Sequence, residues 1–154
     1  MTDNVTIAVD AMGGDNAPEV VLEGVAAALA ADEGLPVILC GPADVVEPFA
    51  AQHARCRAQV AAEVIDMAEH PAQAVRKKKD SSIVVGCRLV KDGQAQGFFS
   101  AGSTGACLAA ATLVMGRIKG ISRPCLATVV PSPVRPIVLC DVGANADCKP
   151  EYLV

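Results

Sequence analysis

VTIAVDAMGGDNAP, residues 5–18, begins as a mainly apolar run and ends as a polar, glycine-rich loop that closes with proline. The run 5–11 predicts a buried β-strand. Pro18 suits the first turn of a helix that has Asn16 near its cap and extends to about Asp32. The segment is therefore predicted to be a strand, a polar loop and a helix in succession.

The same alternation continues along the chain. Further apolar strands are predicted at 36–40, 59–65, 96–101, 125–130 and 137–142, with helices at 43–53, from Ser81 and Ser82 toward Asp92, and at 106–115. Continuous apolar strands that alternate with helices predict the α/β class, with a mostly parallel sheet covered on both faces. We expect residues 1–154 to form a single α/β domain. Because the chain stops at Val154 as a last helix begins, we expect it to be the N-terminal portion of a longer enzyme.

Composition excludes several classes of protein. A hydrophobic content of 52% excludes a disordered tail, and a net charge of -4 argues against a general affinity for nucleic acid. No signal peptide is visible at the N-terminus. Residues 94–115 carry no charge, but glycine, serine and threonine in their middle indicate a buried strand, a loop and a helix instead of a membrane span.

The seven cysteines are scattered, and no CxxC pair occurs. This pattern predicts reduced, buried thiols in a cytosolic protein and neither a disulfide framework nor a zinc site. Neither of the two histidines lies near a cluster of possible ligands, so no metal site is predicted. Cys107 follows a glycine-rich loop at a helix start, where a thiol could be activated. We favour the alternative, a small buried apolar side chain.

Three polar, glycine-rich loops, 10–16, 100–105 and 141–147, follow predicted strands. In parallel sheets, ligands bind at the carboxyl ends of the strands. Glycine lets the backbone approach an anion, and free N–H groups at a helix start favour phosphate, so SAGSTG at 100–105 fits best. Taken alone, each of these loops is about as often a simple turn as a binding site. None has the dinucleotide or Walker A pattern, which disfavours nucleotide binding by those routes.

Five segments together resemble one known family. They are AVDAMGGDNAP (8–18), AVRKKKDSS (74–82), SAGSTGA (100–106), GRIKGISRP (116–124) and DVGANADCKPEYL (141–153). In this order they resemble the phosphate acyltransferases of bacterial phospholipid synthesis. The resemblance implies an α/β/α Rossmann-like fold similar to the isopropylmalate-dehydrogenase-like and phosphotransacetylase group. It also implies a cytoplasmic homodimer, peripherally associated with the membrane. Ser103 departs from the pattern, since many relatives have asparagine there, although both side chains can donate a hydrogen bond.

The implied reaction moves an acyl group from acyl carrier protein to inorganic phosphate, giving an acyl phosphate for phosphatidic acid synthesis, and we expect no cofactor. From resemblance and loop position, we expect five residues to shape the catalytic cleft and orient donors: Asp10, Asp15, Asn16, Asn145 and Asp147. We expect eight others to bind phosphate or the oxyanion: Gly13, Gly14, Ser100, Gly102, Ser103, Thr104, Gly105 and Gly143. The cationic run Arg76, Lys77, Lys78 and Lys79 could dock the acidic carrier protein. A solvated surface run is an equally good interpretation.

Other functions remain open at this point. A phosphotransacetylase-like enzyme that uses acyl-coenzyme A would share the fold and the phosphate chemistry. The chain alone could also be a catalytically silent binding or dimerisation fragment. A dehydrogenase is possible by analogy of fold, but the nucleotide fingerprint is missing, and fold does not determine function.

Overall fold

The computed structural model describes residues 5–121 and 124–140. They fall into two compact units, which divide between Met115 and Gly116. The expectation of a single domain over 1–154 stays a prediction. Within the described ranges, no helix is both long enough and apolar enough to cross a membrane.

The first unit is built on a parallel four-stranded sheet, as the sequence predicts. Its strands are β1 (Ile7–Asp10), β2 (Val37–Gly41), β3 (Cys56–Val60) and β4 (Gly97–Phe99), in the order β3-β2-β1-β4. Ile7 of the central strand β1 pairs with Val37 on one side and with Gly97 on the other. The carboxyl ends of β1 and β4 are therefore neighbours at one edge of the sheet.

Helices cover both faces of this sheet. They are α1 (Glu19–Ala31), α2 (Ala43–Gln52), α3 (Pro71–Lys77), α4 (Ser82–Lys91) and α5 (Thr104–Ala110), which continues as a π-helical turn at Ala111–Met115. Val9 and Leu39 pack with α1 and α2, whereas the alternate residues Ala8 and Ile38 pack with α4. Successive strand residues point to opposite faces. The predicted three-layer α/β/α arrangement is confirmed.

Two local predictions for this unit are wrong. The third strand lies at Cys56–Val60 and not at 59–65, because residues from Cys56 onward pair in register with Val37–Gly41. The α1 helix begins at Glu19, and its cap position is taken by Pro18 without any side-chain hydrogen bond. Asn16 contributes only its backbone carbonyl, which accepts the Val20 N–H at 3.3 Å.

The second unit contains an antiparallel hairpin, formed by β5 (Ala127–Val130) and β6 (Ile137–Cys140). The sequence predicts both strands but assigns them to a mostly parallel arrangement. Residues 131–136 are too few for a crossover between parallel strands, which takes a dozen or more residues. The two strands therefore pair with each other, with Val130 opposite Ile137.

Candidate active site

Two of the predicted loops are joined by a part-buried hydrogen-bond network around a buried carboxylate. Asp10, the last residue of β1, is only 2% exposed, and its Oδ2 accepts a hydrogen bond from the Ser100 hydroxyl at 2.7 Å. The other carboxylate oxygen accepts the Met12 N–H at 3.0 Å, and Ser100 Oγ accepts the Gly102 N–H at 3.0 Å. Val9 pairs with Phe99, so the next residue of each strand lies beside the other. The sheet register thus creates this network.

Gly13 lies where the two loops touch. A Cβ atom on Gly13 would come within 2.8 Å of three atoms: Asp10 Oδ2, Ser100 Oγ and the backbone nitrogen of Gly102. One of these neighbours is backbone and the other two are fixed by the network. Only glycine fits here without displacing a loop.

The loop after β4 leads directly into α5. Ser103 is buried at the N-cap, and its hydroxyl accepts the Ala106 N–H at 3.3 Å. Thr104 and Gly105 follow and are exposed. Their backbone N–H groups form no hydrogen bond with any other group in the described ranges. Unpaired N–H donors beside an exposed hydroxyl can receive an anion or a developing oxyanion.

A polar cavity of about 300 Å³ lies against the same two loops. Asp10, Gly13, Gly14, Asp15 and Gly102 line it on the loop side, and its further lining residues include Asp66, Met67 and Ser82. Among the residues that the structure describes, no lysine, arginine or histidine lines it. The cavity is therefore acidic, which favours ligands that donate hydrogen bonds and disfavours anions.

A second cavity is apolar and has a volume of about 450 Å³. It lies between α1 and strands β1, β2 and β4, and Phe99 and Ala101 belong to its lining. Ala101 is also part of the loop that joins β4 to α5. The loop of Ser100 therefore borders both a polar and an apolar space.

Comparison with known proteins assigns the chain to a family. Residues 5–154 match the family described as "Fatty acid synthesis protein". The chain belongs to this family. It is 53% identical over 151 residues to a protein from Desulfitobacterium hafniense (strain Y51) named "Phosphate acyltransferase", and 48% identical over 152 residues to one of the same name from Clostridium perfringens (strain SM101 / Type A). Each alignment covers 96% of this chain and 45% of the relative. The resemblance carried by the five segments is confirmed, and the chain spans about half the length of these relatives.

The structure brings together many of the predicted site residues and leaves others apart. Those that meet at the two joined loops are Asp10, Gly13, Gly14, Asp15, Ser100, Gly102, Ser103, Thr104 and Gly105. Asn16 is exposed ahead of α1 and does not line the polar cavity. Gly143, Asn145 and Asp147, from the third loop, lie outside the described residues.

Sequence reasoning missed two residues of the polar cavity, Asp66 and Ser82. Asp66 belongs to no glycine-rich loop, so nothing in the sequence singled it out. The sequence predicts both Ser81 and Ser82 as caps of a helix. The structure separates them: Ser81 caps α4 by accepting the Val84 N–H, whereas Ser82 lines the cavity.

The cationic run lies at the end of α3 and just beyond it. Lys78 is not free for a partner, because its ammonium lies 2.5 Å from Glu69 and also donates to the Val64 carbonyl at 2.7 Å. The hydrogen bond from Lys78 to Glu69, together with the one that the Asp66 N–H donates, holds the pKa of the Glu69 carboxyl below its usual value. Arg76, Lys77 and Lys79 are exposed.

The same short helix contacts the loop side of α5. A Cβ atom on Gly105 would lie 2.7 Å from Cγ of Pro71, the first residue of α3. The exposed cations are therefore carried by a helix that packs beside the candidate site.

Cys107 is half-buried against the core between α3, α4 and α5. Burial raises the pKa of its thiol, and the hydrogen bond with Ser100 opposes this shift only in part. The nearby Asp10 carboxylate raises the pKa further. At neutral pH the thiol is protonated, which agrees with a packed apolar side chain and not with an activated nucleophile.

Proposed function

We propose that the protein transfers an acyl group from acyl carrier protein to inorganic phosphate, producing an acyl phosphate that feeds phospholipid synthesis. The observation that carries this proposal is the identity of about half of all aligned residues to proteins named phosphate acyltransferase. A phosphate oxygen forms a bond to the thioester carbonyl carbon, and the carbon–sulfur bond breaks. The thiolate of the carrier then leaves and takes up a proton.

This reaction needs no nucleophilic side chain, because phosphate is the nucleophile. The protein has to hold phosphate beside the carbonyl carbon and stabilise the oxyanion that develops there. The raised pKa of Cys107 agrees with a chemistry that uses no cysteine thiolate.

The exposed start of α5 offers the donors that such a site requires. Ser100 and Ser103 use their hydroxyls to fix the loop. Within the described residues, the N–H groups of Thr104 and Gly105 are unpaired and the Thr104 hydroxyl beside them is exposed. We assign these three donors to phosphate or to the oxyanion. Removing one preorganised donor from an oxyanion site typically lowers kcat by about 10²- to 10³-fold.

The remaining predicted residues take supporting roles in the proposal. Asp10 holds the loop of Ser100 in place, and Asp15, Asn16, Asn145 and Asp147 shape the cleft and orient donors. Gly13, Gly14, Gly102 and Gly143 let backbone approach the substrates closely. Arg76, Lys77 and Lys79 dock the acidic carrier protein, while Lys78 is held by Glu69. A homodimer that associates peripherally with the membrane from the cytoplasm belongs to the same proposal.

Thr104→Ala and Asn145→Ala, made in the complete gene product, test the assignment of the loops. We expect turnover of acyl carrier protein thioester with phosphate to fall at least tenfold in each variant. Thr112→Ala is a matched control, because the Thr112 hydroxyl only donates to the Leu108 carbonyl within the same helical run. Unchanged turnover in both loop variants would contradict the proposed site.

Acyl-coenzyme A is the alternative donor, since phosphotransacetylase chemistry would use the same phosphate site. Comparing kcat/KM for palmitoyl-acyl carrier protein and palmitoyl-coenzyme A separates the two donors. We expect a higher value for the carrier protein, because the exposed cations of α3 add an electrostatic attraction to that acidic partner.

A further inference from the structure

The Ser82 hydroxyl is a buried polar group without a protein partner in residues 5–121 and 124–140. Ser82 is 1% exposed, and its backbone N–H donates to the Glu63 carbonyl at 3.3 Å, but its side chain forms no hydrogen bond in these ranges. The adjacent Ser81 is fully buried too, yet its hydroxyl accepts the Val84 N–H. Leaving a buried hydroxyl unpaired costs about 1–3 kcal/mol, so a partner from outside the protein would be favoured.

Ser82 stands at a position where a ligand can supply that partner. It is the first residue of the ten-residue helix α4, and it lines the polar cavity of about 300 Å³. Gly13 and Gly14 line the same cavity, and their N–H groups form no hydrogen bond with the described part of the chain. The cavity thus offers a hydroxyl, unpaired backbone donors and the positive end of a helix dipole.

The charge of the cavity indicates which ligand it takes. Asp10, Asp15 and Asp66 line it, and no cationic side chain in the described ranges does so. A phosphate dianion would be repelled by these carboxylates. Nor do three or more His, Cys, Asp or Glu side chains of the described residues converge in a way that could hold a metal ion. A neutral ligand that both donates and accepts hydrogen bonds satisfies the carboxylates, the hydroxyl and the free N–H groups together.

We propose that this cavity binds the uncharged, amide-bearing pantetheine arm through which the acyl donor carries its thioester. Ser82 donates to an amide carbonyl of the arm, and the carboxylates accept its amide N–H groups. The volume lies at the lower end of small-molecule sites, which suits the segment of the arm next to the thioester. This inference rests on the proposed function. It reassigns Gly13, Gly14 and Gly102 from the binding of phosphate to the binding of the acyl donor, and it leaves phosphate at Thr104 and Gly105.

Kinetics of Ser82 variants in the complete gene product test the proposal. We expect Ser82→Ala to raise KM for acyl carrier protein thioester about 3- to 10-fold, the effect of one lost hydrogen bond, with KM for phosphate unchanged. Ser82→Val, which places a methyl group where the hydroxyl stood, should raise it further. Acyl-coenzyme A carries the same arm, so its KM should rise by the same factor. A rise for phosphate, or for only one of the two donors, would overturn the proposal.

Ser81→Ala is the structural control. It removes the cap of α4 and should lower the melting temperature without the selective change in KM. Ser82→Ala removes an unpaired buried hydroxyl and no hydrogen bond within the described residues, so its melting temperature should rise and not fall.

Direct binding separates failure of this inference from failure of the proposed function. Saturation-transfer NMR with S-acetylpantetheine needs no turnover. Binding to the natural protein that is lost in Ser82→Val supports the cavity assignment whether or not phosphate is acylated. The absence of binding, or equal binding to both proteins, would overturn it even if the enzyme proves to be a phosphate acyltransferase.

Discussion

Gly13 lies where the two loops of the site touch, and there is no room for a Cβ atom at this position. Replacing Gly13 tests whether this close contact matters. Gly13→Ala would place Cβ 2.8 Å from a backbone nitrogen and from both members of the Asp10–Ser100 hydrogen bond. We expect this overpacking to lower the free energy of unfolding by about 1–3 kcal/mol and to reduce turnover. Urea unfolding and the phosphate-dependent assay measure the two effects.

Gly24→Ala is the matched control for that substitution. Gly24 lies in α1, and a Cβ atom there would have no neighbour within 4 Å. Because alanine favours a helix over glycine by about 0.5–1 kcal/mol, this variant should be more stable than the natural protein. If the two substitutions had the same effect, the close contact at Gly13 would be without consequence.

The buried thiols predict a loss of stability in alkali. Burial raises the pKa of Cys40 and of Cys87 from 9.0 to about 12, with Asp10 adding to the shift at Cys40 and Cys107 adding at Cys87. Between pH 9.0 and about pH 12, the unfolded chain releases thiol protons that the folded protein keeps. The free energy of unfolding therefore falls as pH rises through the window, by at most about 1.4 kcal/mol per pH unit for each thiol.

A Cys40→Ala, Cys87→Ala variant isolates this effect. Urea unfolding at about pH 8, where the thiols of both states are protonated, and at about pH 10.5 gives the slope for each protein. We expect a shallower fall for the variant. Equal slopes would show that these two thiols are not the cause.

Single residues of the site differ in how far the sequence alone could identify them. Asp10, Ser100 and the glycines beside them were predictable, because strand ends in a parallel sheet converge and glycine-rich loops stand out in a sequence. Ser82 and Asp66 were not, since a serine at a helix start predicts a cap. That the Ser82 hydroxyl has no partner in the described residues becomes visible only when the segments of Glu63 and Asp10 are folded beside it.

Among the elements, α3 carries exposed cationic side chains and packs beside the candidate site. Lys77→Glu reverses an exposed charge on this helix and should lower kcat/KM for acyl carrier protein about 3- to 10-fold at low ionic strength, with kcat unchanged. Stopped-flow or steady-state kinetics over a range of salt concentrations would measure it. Lys91→Glu, the same charge change at the end of α4, is the control. A salt dependence that is identical in both variants would argue against docking at α3.

Element boundaries were predicted best where local chemistry sets them. The start of α4 at Ser82 follows from the serine cap at Ser81, and the π-helical turn at Ala111–Met115 lies within the predicted apolar helix. The position of β3 was wrong by a few residues, because its register is set by hydrogen bonds to β2 and not by its own sequence. The antiparallel pairing of β5 and β6 depends on the short connection at 131–136, which the alternation of strands and helices does not reveal.

At the scale of the whole molecule, fold class and family follow from different observations. The parallel sheet with helices on both faces comes from the alternation of apolar strands and helices, and the family comes from five segments distributed over nearly the whole chain. The third predicted loop, with Asn145 and Asp147, lies outside the described residues. The chain covers 45% of its phosphate acyltransferase relatives, so the activity is proposed for the complete gene product.

Acyl transfer to phosphate is tested first by a phosphate-dependent assay of the complete gene product with palmitoyl-acyl carrier protein. Free thiol is followed spectrophotometrically, and the phosphorus product is followed by ³¹P NMR. We expect thiol release only when inorganic phosphate is present, together with an acyl phosphate resonance in equal amount. Thiol release without phosphate, or no release from a folded protein, would contradict acyl transfer to phosphate.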